Sequence, residues 1–247
     1  MRRFIAFLAG LPAALALISG PALGQANDSA ARHEMVRIIE MQTMMLSAET
    51  GIAEIDPRVL DAMRAVPRHA FVPADLRAYA YGDHPLPVGD DQNIAAPFLA
   101  ALMTHLAEVE AGDVVFETGT DVGYQAALLS SLGADVYSVD VVAPFADQAA
   151  RLLKELGYDH VYVQESDGYY GWAAHAPYDA IIVKEAIDHV PPPLLSQLKR
   201  GGRLVMPLGP AGGPQYLTLI TKGVDGQVSE RHIMPVRFSP LQGGERT

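Results

Sequence analysis

The stretch that most constrains the fold of this chain spans residues 114–125, V-V-F-E-T-G-T-D-V-G-Y-Q. The apolar run Val114-Val115-Phe116 ends in an acid, Glu117, and passes into a turn carrying Gly119 and Gly123. Tyr124, Leu128 and Leu132 then recur at helical spacing, and Gly133 stands where a helix C-cap glycine belongs. Strand, glycine turn and helix start in that order make the first crossover of a doubly wound parallel sheet, whose ligands lie outside the carboxyl ends of the strands. Glycines let backbone approach a ligand closely, and a helix start offers N–H groups without intrahelical partners. A tight strand-to-helix turn with no ligand satisfies the same pattern.

Downstream the alternation continues. Strands are expected at 136–140, 161–163 and 180–183, the last a short buried run of the parallel-sheet kind. Helices are expected at 144–156, closed by Gly157, and at 191–198, ended by Gly201-Gly202. A strand at 204–206 follows, and then a closing antiparallel hairpin from 216–221 and 228–238 around Asp225-Gly226. Upstream, Met35, Ile38, Ile39 and Met45 form a broken helical stripe in which the methionines read as flexible core filler. Asp56-Pro57 caps a second helix to residue 66, and a third covers 97–106. Between these two helices, the turn-rich residues 84–93 read as a loop. Residues 25–31 read as a linker. The expected architecture is an α/β three-layer fold under an N-terminal helical cover.

Residues 1–24 read as a segment apart. Arg2 and Arg3 precede an apolar run over 4–18, and Ala22-Leu23-Gly24 supplies small residues before Gln25, the layout of a secretory signal peptide. The run is too short and interrupted for a membrane span. Its removal takes away two positive charges and shifts the formal charge from −11 to −13. A balance that acidic argues against nucleic acid or an anionic membrane as partner. Cysteine is absent, which suits an oxidising compartment and excludes a thiolate nucleophile or metal site. The expectation is a periplasmic or secreted protein, with 25–110 a helical and substrate-loop region, 111–247 the ligand-binding core, and no stable membrane association after cleavage.

Asp140 follows Gly119 by 21 residues, a spacing that suits an acid accepting hydrogen bonds from ribose hydroxyls; a helix-capping aspartate fits equally well. Asp167-Gly168 follows the next strand, where an acid can meet the exocyclic amine of an adenine or simply close a turn. Lys184-Glu185 reads as an exposed ion pair that could instead face the same crevice. The eight histidines show no metal-ligand spacing, and no nucleophile elbow is present, which leaves hydrolase and metalloenzyme readings without support. Gly119-Thr120-Asp121-Val122-Gly123 is not G-x-G-x-x-G, so a dinucleotide oxidoreductase is disfavoured.

Several stretches together resemble the protein-L-isoaspartate O-methyltransferase family. They are V-P-R-H-A-F-V-P at 66–73, A-Y-G-D-H-P-L-P-V-G at 80–89, G-Y-Q-A-A-L-L at 123–129, and D-G-Y-Y-G-W at 167–172. A-P-Y-D-A-I-I-V at 176–183, L-K-R-G-G-R-L-V-M-P-L-G at 198–209 and P-V-R-F-S-P-L at 235–241 extend the match. The resemblance implies a Rossmann-like methyltransferase sheet, S-adenosylmethionine as methyl donor, and the carboxylate of an isoaspartyl residue in a damaged protein or peptide as acceptor. The methyl ester would close to a succinimide and reopen partly to normal aspartate. By resemblance, Glu117, Gly119, Thr120, Asp121 and Gly123 cradle the cofactor, Asp140 meets its ribose, and Asp167 and Gly168 its adenine. Gln92, Asn93 and Ala95 lie over the acceptor in a positioning role.

The departures fall in the same places. Where the family writes E-I-G-T-G-S-G, Asp121 stands for the second glycine and Val122 for the serine. Where it writes G-Q-T-I-S, this chain has Asp91-Gln92-Asn93-Ile94-Ala95, and Lys184-Glu185 replaces small residues. A Cβ and carboxylate at 121 are expected to obstruct close approach of a ligand. A working repair methyltransferase and an exported relative that binds peptides without methyl transfer therefore both stand on the sequence.

Overall fold

The computed structural model describes residues 21–89 and 92–244, with side chains from Asp28 onward. The first twenty residues of the expected leader, and Asp90 and Asp91 of the acceptor loop, lie outside this range.

An 11-residue helix, α4 (Pro97–Ala107), and a long helix, α1 (Pro21–Met45), meet α3 (Pro57–Ala65) to form the N-terminal cover. The linker expected at 25–31 is helical, because no glycine or proline interrupts the chain between Gln25 and Met45. Along α1, Met35 and Ile39 are buried, whereas Met41, Met44 and Met45 are exposed, so the filler role holds only for the inward methionines. Asp56 caps α3 through Arg58 N–H at 2.8 Å. The short α2 (Ser47–Thr50) links α1 and α3. Residues 84–93, expected as a loop, contain an antiparallel pair, β1 (Leu86–Gly89) and β2 (Gln92–Ile94). Leu86 and Ile94 are partners in that pair and both buried, which gives the turn-rich segment an apolar anchor.

The main sheet is built from β3 (Val114–Thr118), β4 (Asp135–Asp140), β5 (Val161–Glu165), β6 (Tyr178–Ile182), β7 (Leu198–Leu208), β8 (Gln215–Lys222) and β9 (Val228–Val236). Its order is β5-β4-β3-β6-β7-β8-β9, with β8 antiparallel to β7 and to β9. The crossovers are α5 (Tyr124–Ser131) after β3 and α6 (Ala143–Glu155) after β4, while α7 (Pro192–Gln197) precedes β7. Gly201-Gly202, expected to end a helix, lies inside β7 where its register against β6 shifts; the helix stops at Gln197 instead.

Side chains alternate across the sheet. Val115, Ala180 and Ile182 pack beneath the helical cover, while Phe116, Ile181 and Val183 pack on the opposite face with Leu194 and Leu204. Strand β4 leaves β3 on one side and β6 lies on the other, so the sheet's switch point falls at the tip of β3.

Candidate active site at the tip of strand β3

The turn after β3 uses the left-handed region three times, at Gly119 (φ 62), Asp121 (φ 49) and Gly123 (φ 88). Asp121 is the non-glycine exception, and two contacts hold it there. Its N–H donates to Asp140 Oδ2 at 2.9 Å, and Lys184 Nζ lies 3.3 Å from its Oδ2. Val142 N–H donates to the other Asp140 oxygen at 2.9 Å, so Asp140 clamps both its own turn and the glycine turn. Beneath them runs a chain of hydroxyls: Thr120 meets Ser138 at 2.6 Å, and Ser138 donates to Glu117 Oε1 at 2.8 Å. Glu117 is 0% exposed, and its Oε2 has no partner among the described residues. Burial pushes its carboxyl up to about 7, against the pull of Lys184 and Ser138.

Lys184 and Glu185 follow β6 and were expected as an exposed ion pair. They are not paired with each other. Lys184 turns to Asp121 with 11% of its side chain exposed, and Glu185 Oε2 accepts from Thr118 Oγ1 at 2.5 Å. Burial opposes the Lys184 charge, but Glu117, Asp121 and Glu185 outweigh it and raise its pKa. Burial pushes Glu185 up to about 7 and also raises Asp121. The Glu185 carboxylate rests against Gly119 so closely that a Cβ there would overlap it. Gly119 is therefore required twice, by its backbone angle and by its neighbour.

Two cavities adjoin at this point. The larger, about 330 Å³, lies between Gln92, Asn93 and Ala95 on one wall and Thr120, Asp121 and Glu185 on the other. Arg237 stands exposed on its lining. The smaller is a narrow crevice of about 20 Å³ between Gly119, Asp140, Gly168 and the C-terminal segment around Ser239. Gln92, Asp121, Glu185 and Ser239 line both and form the wall between them, with Asp121 and Glu185 its charged members.

Of the residues singled out in the sequence, Gln92, Asn93, Ala95, Thr120, Asp121, Gly119, Asp140 and Gly168 line these cavities. Three do not. Glu117 sits behind the wall on Ser138. Gly123 caps the start of α5 and packs on Leu153. Asp167 turns away: one oxygen accepts from Tyr169 N–H at 2.9 Å and the other from Gly244 N–H at 3.1 Å, while its neighbours Ser166 and Gly168 line the crevice.

Arg68 had no assigned role. It is 0% exposed, lies 4.8 Å over the Tyr124 ring, and donates to Ala80 O at 2.8 Å and Ala95 O at 2.7 Å. It fixes the backbone of the acceptor loop from below. An arginine inside the apolar setting Pro67–Phe71 was the available signal, since a buried guanidinium needs partners.

A doubly wound sheet whose first strand feeds a glycine turn, with an acid at the tip of the next strand and a cavity alongside, has the layout of a nucleoside-binding crevice, and the family match that follows makes its class that of the S-adenosylmethionine-dependent methyltransferases. The profile of the Protein-L-isoaspartate(D-aspartate) O-methyltransferase family matches residues 40–246, and the chain belongs to that family. It is 47% identical over 232 residues to Protein-L-isoaspartate O-methyltransferase 2 of Syntrophobacter fumaroxidans, covering 93% of this chain and 94% of that one. It is 48% identical over 235 residues to Protein-L-isoaspartate O-methyltransferase 1 of Cupriavidus necator, covering 94% and 91%. Among solved structures, a protein-L-isoaspartate O-methyltransferase superposes with a TM-score of 0.75 at 28% identity, covering 86% of this chain and 66% of that one. A Plasmodium falciparum structure in complex with S-adenosyl-L-homocysteine shares the fold, with a TM-score of 0.66 at 19% identity over 82% of this chain and 97% of that one. Identity near one half across nearly the whole chain favours the enzyme over a relative that keeps only the fold.

Proposed function

We propose that this chain repairs damaged proteins outside the cytoplasm by transferring a methyl group from S-adenosylmethionine to the free carboxylate of L-isoaspartyl residues. The observation that carries the reading is the pair of adjoining cavities at the tip of β3, one bordered by the nucleoside-type residues Gly119, Asp140 and Gly168, the other by the acceptor loop.

The residues present fit the cofactor. Asp140 retains acceptor capacity on both oxygens beyond its two backbone bonds, which suits a pair of ribose hydroxyls. Gly119 presents backbone without a Cβ to the crevice, beside the Glu185 carboxylate. Bound S-adenosylmethionine supplies a methyl carbon already activated by its sulfonium. The acceptor carboxylate is ionised at neutral pH, so the protein has only to hold it in line. Gln92 and Asn93, both amide-bearing, line the larger cavity, and Ala95 contributes backbone pinned by Arg68. Arg237 brings a cation for which the described residues offer no carboxylate partner.

The test is calorimetry with S-adenosylmethionine, followed by methyl transfer to an isoaspartyl peptide and to its normal aspartyl counterpart. Micromolar cofactor binding and transfer to the isoaspartyl peptide alone are expected; absence of both overturns the reading. Arg237→Ala is expected to raise KM for the peptide roughly tenfold with kcat nearly unchanged, as for loss of one exposed charged hydrogen bond.

Export rests on the paired arginines, the apolar run over 4–18, the small residues near 24 and the absence of cysteine. Among the described residues no helix is long and apolar enough to cross a membrane. Intact mass of the native protein is expected to show a chain beginning near Gln25; retention of Met1 would place the protein elsewhere.

A further inference from the structure

The wall between the two cavities carries more charge than positioning requires. Asp121 and Glu185 are its charged members, beside Gln92 and Ser239; Asp140 flanks it, and Glu117 lies buried behind it, against one adjacent ammonium among the described residues, that of Lys184. That ammonium is committed to Asp121 at 3.3 Å, whereas Glu185 takes only the Thr118 hydroxyl at 2.5 Å. Among the described residues, the Glu185 carboxylate thus lines the larger cavity without a cation in contact.

Its place is chemically specific. A ligand that reaches from the nucleoside crevice over Gly119 and Gly168 to the acceptor loop at Gln92 must pass the wall that Glu185 shares between them. In the cofactor, the reacting sulfur is the atom that joins the nucleoside to the rest of the molecule. That atom is cationic in the methyl donor and neutral in the demethylated product.

We propose that Glu185, with Asp121, is a specificity-determining residue that makes this crevice favour the cationic methyl donor over its neutral product. The inference rests on the methyltransferase reading and deepens it. Carboxylates across a partly desolvated wall attract a fixed positive charge and gain nothing from an uncharged thioether. The donor then binds more tightly, and the product leaves once transfer has removed the charge. Burial raises the affinity of Glu185 for a proton, with Asp121 and Asp140 adding to it and Thr118 and Lys184 opposing it, so a further positive charge beside it would favour its ionised form. The small residues that the family resemblance leads one to expect at 184 and 185 would leave this charge out.

Calorimetry on the full mature protein tests it with three probes: S-adenosylmethionine, S-adenosylhomocysteine, and the analogue bearing a protonated amine in place of the methyl sulfonium. Wild type is expected to bind both cationic probes at least tenfold more tightly than the neutral one. Glu185→Gln keeps the shape and the acceptor for Thr118, and is expected to cut that preference at least fivefold by weakening the cationic probes alone. An unchanged ratio in Glu185→Gln overturns the inference and leaves the methyltransferase reading intact. Equal gains for all three probes overturn it too, and would make Glu185 a steric plug. A wild type that binds none of them overturns the methyltransferase reading and this inference together. Glu185→Ala, followed by circular dichroism, separates lost charge from lost fold and is expected to match the Gln variant in ratio.

Discussion

Replacing Lys184 by methionine is expected to destabilise the protein by about 3–5 kcal/mol at pH 8, the range for removing one partner from a buried ion pair. Its ammonium lies 3.3 Å from Asp121 and is the nearest compensation for Glu117 and Glu185. Without it, three carboxylates are left in a partly desolvated turn. The effect carries a pH signature. Glu117 and Glu185 titrate near 7 in the folded protein against 4.5 when solvated, so the folded state holds more protons between those values. Stability from these two groups is complete below about 4.5 and lost as pH rises through 7. Removing Lys184 raises their folded pKa values further, so the penalty is greatest at pH 8 and shrinks towards pH 5. Urea unfolding at both pH values measures it. A loss independent of pH, or one below about 1 kcal/mol as for a surface pair, would show that Lys184 does not neutralise this cluster.

The second large effect is expected on cofactor binding. Asp140→Asn should lower affinity for S-adenosylmethionine by about 100-fold or more. The carboxylate accepts from Asp121 N–H and Val142 N–H, both at 2.9 Å, and an amide can accept at only one of these two oxygen positions. Its NH₂ would oppose one N–H, releasing the glycine turn as well as weakening contact with ribose. Each lost charged hydrogen bond is worth roughly 1.5–3 kcal/mol, and two exceed two decades of affinity. Asp167→Asn is the natural control. That carboxylate turns to Tyr169 and Gly244 rather than into the crevice, so affinity should fall by less than about tenfold for a single indirect contact. Equal losses in the two variants would mean that Asp167 swings inward on binding.

Much of the fold was legible because its signals are local. Val114 to Phe116, the turn glycines and the stripe at Tyr124 and Leu128 place β3 and α5 without reference to the rest of the chain. What escaped depended on partners distant in sequence. Leu86 and Ile94 hold a hairpin in a segment whose composition spells a loop, and only their cross-strand contact makes it one. Gly201-Gly202 reads as a helix stop but serves as a bulge where β7 slips against β6. The site divides the same way. The spacing of Asp140 from Gly119 left a ribose acceptor and a turn cap level, the family resemblance chose the first, and the structure puts Asp140 on the crevice while its oxygens also hold two backbone N–H groups. Lys184 and Asp121 are 63 residues apart, and no pattern in either neighbourhood announces that they meet. The same holds for Arg68 and Ala95, 27 residues apart.

The C-terminal segment ties several of these parts together. Leu241 N–H donates to Ala186 O at 2.8 Å, Ala186 N–H to Ser239 O at 2.8 Å, and Gly244 N–H reaches Asp167. Residues 239–244 therefore form a strap of backbone across the mouth through which a nucleoside would pass. Whatever lifts that strap from Ala186 and Asp167 also widens the way in, so entry to the crevice is coupled to backbone bonds rather than to any side chain that lines it.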